Sequence, residues 1–161
     1  MRSVLRHAIL GLAFATLAVS AASVSAQTGD SGMGTWKLNA EKSKFSPGPA
    51  PKGLTTKFES FGKGVKWTSE RIGADGKPIT SEYTGEYDGK EYPIKGSPTA
   101  DAVVLRRVNA STTERVNKKD GKVVSTETRE VAKDGKSYIT TVKGTTAKGE
   151  PIDHRMVFEK Q

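Results

Sequence analysis

From Leu54 to the end of the chain, apolar and polar positions alternate with period two. Runs rich in Val, Thr, Tyr, Ile and Phe interleave with Lys, Glu and Thr, and no stretch of a dozen residues offers a clean helical face. The pattern predicts strands over 34–39, 54–61, 64–72, 78–87, 91–95, 101–108, 111–118, 122–132, 136–145 and 151–159. Regular punctuation separates them. Asp-Gly-Lys recurs at Asp75–Lys77, Asp88–Lys90, Asp120–Lys122 and Asp134–Lys136, and Asp-Gly tolerates the positive φ of tight hairpin turns. A fifth turn is expected at Ala147-Lys148-Gly149. These aspartates lack the close acidic spacing and terminal Glu of a calcium-binding EF-hand loop. A long antiparallel meander removes its exposed edges by closing on itself. The expectation is therefore an all-β domain over 34–161. It is an up-and-down barrel of about eight to ten strands with no substantial helix; a two-sheet sandwich is the alternative.

Alternation also sorts side chains by face. One face carries Val65, Trp67, Ser69 and Arg71, then Ile79, Ser81, Tyr83, Gly85 and Tyr87, then Tyr92 and Ile94. Later strands add Tyr138, Thr140 and Val142, and finally Ile152, His154, Met156 and Phe158. Ala102–Leu105 and Lys122–Ser125 carry apolar residues in both parities and receive no assignment. This inner set mixes aromatic rings with hydroxyls, which suits a chamber for water or an amphipathic small molecule. The alternative is a packed interior whose polar groups bond to one another. The candidate ligand-binding residues are Trp67, Arg71, Ser81, Tyr83, Tyr87, Tyr138 and His154, with Arg71 at the rim. Gly85 is expected to leave open space between the two tyrosines.

The N-terminus changes the setting. Arg2 and Arg6 precede an apolar run from Ala8 to Val19, and Val24-Ser25-Ala26 fits a signal-peptidase site, so residues 1–26 read as a secretory signal. The run is shorter than the ~20 residues a membrane span needs. Cleavage after Ala26 leaves no transmembrane segment and a periplasmic or secreted chain. Residues 27–33 read as a flexible lead-in, and the Pro/Gly-rich stretch 39–53 as a loop. The chain has no cysteine, so neither disulfides nor a lipid-modified cysteine is available.

Formal net charge is +8, and loss of Arg2 and Arg6 lowers the excess to six. That excess suits either a solvated exterior or attraction to an anionic envelope surface. No basic helix and no cluster of aromatics among Lys/Arg points to nucleic acid. Catalytic chemistry is thin. His154 is the single histidine after Ala26, which rules out a His or Cys metal cluster, and no Gly-x-Ser-x-Gly elbow occurs. Asp153 faces away from its neighbour His154 on a strand, and Glu82 and Glu86 fall on the polar face. Neither a cofactor nor enzymatic activity is expected.

Gly34-Thr35-Trp36 opens the first strand. This Gly-x-Trp resembles the start of calycins, the superfamily of lipocalins and fatty-acid-binding proteins. The resemblance implies that Trp36 plugs the closed end of a barrel and that Gly34 gives the backbone room beside it. The final strand, "PIDHRMVFEKQ", looks like the close of a fatty-acid-binding chain, which ends on an Arg-x-Tyr carboxylate clamp. Aligned on "FEK", Met156 and Phe158 stand in those two places, so the clamp is absent. The helix pair that lids those barrels is also missing, with the Pro-rich loop in its place. More widely, "GTWKLNAEKSKFSPGPAP", "YDGKEYPIKGSP" and "AKDGKSYITTVKG" are similar to small exported bacterial lipocalin-like proteins. That likeness implies a fold and a compartment and transfers no chemistry. Two functions follow: a non-enzymatic protein holding an apolar or amphipathic small molecule in its barrel, or a basic envelope-associated module with a packed core.

Overall fold

The computed structural model describes residues 30–161; the expected export signal, its cleavage site and residues 27–29 lie outside that range. Ten strands follow in chain order: β1 (Gly34–Lys44), β2 (Gly53–Phe61), β3 (Gly64–Ile72), β4 (Pro78–Gly85), β5 (Asp88–Pro93), β6 (Ala102–Arg107), β7 (Thr112–Lys119), β8 (Lys122–Val131), β9 (Ser137–Thr145) and β10 (Pro151–Lys160). All pairings are antiparallel, in the order β4-β3-β2-β1-β10-β9-β8-β7-β6-β5. β4 meets the segment just after β5 at one bridge, where Glu82 and Lys95 exchange N–H···O bonds of 3.0 and 2.9 Å. The sheet is thus a nearly closed barrel, and no described residue is helical. The sandwich alternative falls, because a single sheet wraps round until its own ends touch.

The glycine of every Asp-Gly-Lys site takes positive φ, and three of the four sites lie between strands. Gly76, Gly121 and Gly135 take positive φ between strands, joined by Gly149 in the fifth turn. The fourth site differs. β4 stops at Gly85, the chain reverses at Glu86–Tyr87, and Asp88-Gly89-Lys90 lies inside β5. There it forms an irregularity in the ladder before Glu91, with Asp88 Oδ1 accepting from Lys90 N at 3.0 Å. Tyr87 is therefore a corner residue and not the end of a strand. β1 also runs beyond 34–39. The register breaks between Asn39 and Lys44, and side chains replace the lost ladder bonds. Ser43 Oγ donates to Asn39 O at 2.6 Å and accepts from Val157 N at 2.9 Å.

Gly85 does not leave a void. A Cβ there would stand 2.8 Å from Tyr92 Cδ2 and 3.1 Å from Leu105 Cδ1. The absent side chain makes room for the Tyr92 ring, so the space expected from the sequence is filled. On β6 the ambiguous run resolves, with Val103 and Leu105 joining the core.

One end of the barrel is sealed. Trp36 is wholly buried, its ring edge-on to Tyr138 at 4.9 Å, and its indole N–H donates to Gly32 O at 3.1 Å. Gly34 sits at φ 118°, a backbone state that disfavours side chains, and a Cβ would press on Lys160 Cε at 3.0 Å. The room at Gly34 thus serves Lys160, whose ammonium lies 5.0 Å from the Trp36 ring centre. Residues 30–33, read from sequence as part of a flexible lead-in, pack across this end. Gly32 is buried, and Asp30 meets Arg107 at 2.7 Å.

Candidate functional site

Above the sealed end lies a cavity of about 340 Å³. Its floor is aromatic. Tyr138 stacks on Phe158 at 4.6 Å, Phe58 stands edge-on to Tyr138 at 6.1 Å, and Trp36 lies beneath without lining the chamber. The Tyr138 hydroxyl shares a 2.7 Å hydrogen bond with Thr56, and burial pushes its phenol pKa well above the ordinary value. The mouth is at the opposite end. Phe45, Pro47, Pro49 and Pro51 of the β1–β2 loop and Ser97, Pro98 and Thr99 of the β5–β6 loop border it. Prolines suit this place, because a loop over a cavity has few partners for backbone N–H groups.

All seven sequence candidates border the chamber, at different depths. Trp67 on β3 and Tyr83 on β4 stack at 5.1 Å and 22°, as their direct cross-strand pairing allows. Ser81 is half-buried one inward position above Tyr83. Tyr138 belongs to the floor. Tyr87, at the β4–β5 corner, stands apart under Arg107 at 4.5 Å, between the chamber and a shallow outer depression that includes Asp30 and Met33. Arg71 is exposed at the rim. His154 also sits at the mouth: its Nδ1 accepts from Ser46 N at 3.0 Å, while Asp153 N donates to Ser46 O at 2.7 Å. These two bonds strap the Pro-rich loop to β10. Burial, aided by the Arg71 charge, lowers the His154 pKa and keeps the ring in its accepting neutral form.

The chamber also holds a polar group that alternation missed. Thr113, Arg115 and Asn117 point inward from β7, facing Arg129, Glu127 and Ser125 of β8 in direct register. Arg115 Nη2 donates to Glu127 Oε2 at 2.6 Å, and Asn117 Nδ2 donates to Glu127 Oε1 at 2.8 Å and Ser125 Oγ at 2.9 Å. The Arg115 guanidinium lies 4.3 Å above the Trp67 ring and 5.5 Å from that of Tyr83, so it reaches across the barrel. Burial opposes its charge, but Glu127 and the Tyr83 hydroxyl together more than offset this and hold its pKa above the ordinary value. Its Nε is buried without a hydrogen-bond partner. Arg129 is buried lower down, 3.9 Å over Phe58, donating to Thr113 Oγ1 and Gly32 O at 3.3 Å each. Sequence offered no plain signal for this pairing: counted from the Asp120–Gly121 turn alone, Arg115 would face Thr126, and the bulge opposite Asn117 and Lys118 shifts the ladder by one residue to set it against Glu127.

Among the described residues, no group of three or more His, Cys, Asp or Glu side chains converges as a metal site. The arrangement is a lined pocket with hydrogen-bonding groups at mid-depth and apolar walls above them.

No protein-family model matches the chain. No curated protein matches it in sequence. Among solved structures it is similar to zebrafish ileal bile acid-binding protein complexed with cholic acid, at 15% identity and a TM-score of 0.51, covering 81% of this chain and 99% of that one. At that identity the likeness speaks to fold alone, and the fold it shows is the calycin-like antiparallel barrel.

Proposed function

We propose that this protein is a non-enzymatic binding protein that holds a small amphipathic molecule inside its barrel. The observation that carries this reading is the chamber itself. About 340 Å³ of space lies between an aromatic floor and a proline-rich mouth, with a few convergent polar groups partway down. The zebrafish neighbour, whose barrel this fold resembles, is complexed with cholic acid, an amphipathic small molecule, which supports an amphipathic occupant here whatever its polar group. We further propose that the protein acts outside the cytoplasm. The support is the sequence of residues 1–26, which reads as an export signal and places the first residue of the processed chain at Gln27.

The test is a titration with the neutral apolar dye Nile red, followed by energy transfer from Trp67. Saturable binding that changes little between low and high salt is expected, since apolar burial is not screened as charge is. Absence of dye binding, together with adsorption to anionic vesicles that salt abolishes, would instead favour a basic envelope-associated module. N-terminal sequencing of extracytoplasmic material tests the export reading, which fails if the chain still begins at Met1.

A further inference from the structure

We infer that the chamber selects a ligand whose buried polar group is an uncharged oxygen, such as a hydroxyl or an ester or ketone carbonyl, and discriminates against carboxylates. This rests on the reading of the cavity as a ligand chamber.

The argument starts from the charges at mid-depth. Arg115 is already paired with Glu127 at 2.6 Å, and Asn117 engages the other oxygen of the same carboxylate at 2.8 Å. Trp67 covers one face of the guanidinium. What remains for a ligand is the part of the guanidinium that Glu127 does not engage, including the buried Nε–H, a donor with no acceptor. A lone buried donor is costly, and a neutral acceptor oxygen satisfies it without adding charge. A carboxylate at the same place would bring a second negative charge beside Glu127 in a poorly solvated interior, where like charges repel strongly.

The other cations do not reverse this. Arg129 is buried against the Phe58 ring and donates hydrogen bonds to Thr113 and Gly32. It lies at the chamber floor near the sealed end, where Asp30, held below the usual carboxylate range against burial by Arg107 and the Gly32 N–H and to a lesser degree by Arg129, offsets part of its charge. Arg71 is exposed at the rim, where water screens it. Walls nearer the mouth are apolar, with Leu54, Ile79, Ile94, Ile152 and Met156 on them. A ligand would therefore enter polar end first and leave its hydrocarbon toward the proline-rich loop.

The experiment compares one alkyl chain of fixed length carrying a hydroxyl, a methyl ester or a carboxylate, each displacing Nile red near neutral pH. The full chain as exported should bind the alcohol and ester at least about tenfold more tightly than the carboxylate. Glu127→Gln keeps the side-chain shape and frees the Arg115 charge, so it should raise carboxylate affinity at least about tenfold and abolish the preference. Equal or tighter carboxylate binding by the unmodified protein overturns the inference while leaving the chamber reading intact. An unchanged preference in Glu127→Gln overturns the assignment to this pair. Failure of Nile red and all three compounds to bind overturns the chamber reading, and this inference with it. Should Glu127→Gln not fold, Arg115→Met/Glu127→Met serves in its place, since it leaves no unpaired charge. It must bind the alcohol and ester at least about tenfold more weakly while still binding Nile red, and unchanged affinity for them sinks the inference.

Discussion

Arg115 on β7 spans the barrel interior to lie 4.3 Å over the Trp67 ring on β3. The contact joins strands that are distant in the sheet order, and Glu127 holds it in place from β8.

That dependence is testable as stability. Glu127→Ala strands the Arg115 charge in the interior and should cost about 3–5 kcal/mol. Replacing the pair together, as Arg115→Met/Glu127→Leu, removes both desolvation penalties and should be close to neutral or stabilising. Urea denaturation of the two variants gives the comparison. A double variant as unstable as Glu127→Ala would show that the pair contributes through more than mutual compensation.

Trp36 and Trp67 should separate structure from binding. Trp36→Ala opens the sealed end and should cost about 3–5 kcal/mol, against little for the exposed Lys52→Ala control. Trp67 borders the chamber and Trp36 does not. Energy transfer to bound Nile red should therefore survive Trp36→Phe and fall sharply in Trp67→Phe. Equal losses in both would contradict the depth assigned to the floor.

At Gly85 the expected effect is overpacking. Gly85→Ala drives a methyl into Tyr92 and should destabilise by about 1–3 kcal/mol. Tyr92→Leu made with it should recover part of that loss, which a double-mutant cycle measures as coupling. Simple additivity would mean that the two residues do not share the space.

His154 should make the mouth sensitive to acid. Its Nδ1 must be unprotonated to accept from Ser46 N. Burial and the facing Arg71 charge lower its pKa below the ordinary histidine value, opposed by Asp153 and Glu127. The unfolded chain therefore takes up the proton first, and stability falls as pH drops from about 6.5 through the lower folded value. Compared with wild type, His154→Leu should be less stable near pH 8 and lose that deficit near pH 5. A deficit constant over this range would remove His154 from the strap on the Pro-rich loop.

Much of this architecture was legible in the chain itself. Period-two alternation and Asp-Gly turns are local signals, so the ten strands and three of the four Asp-Gly-Lys hairpins could be read directly. The buried place of Trp36 was implied by the resemblance that its Gly-x-Trp carries, not by alternation. Tertiary structure decided what local pattern does not encode. Asp88-Gly89-Lys90 became a bulge within β5 because the reversal had already occurred at Glu86–Tyr87, and the space at Gly85 went to Tyr92 from that returning strand.

The polar group at mid-depth was hidden for a related reason. Neither face of "TTERVNKK" is apolar, so alternation cannot say which one turns inward, and its lone Val116 would suggest the wrong parity. Arg115, Asn117 and Glu127 are tolerated inside because they satisfy one another across a strand pair, while Trp67 covers Arg115 from across the barrel. Sequence alone determined where strands begin and turn, because those preferences act within a few residues. Only the closed barrel decided which charges could be buried, because their compensation comes from partners that closure brings together.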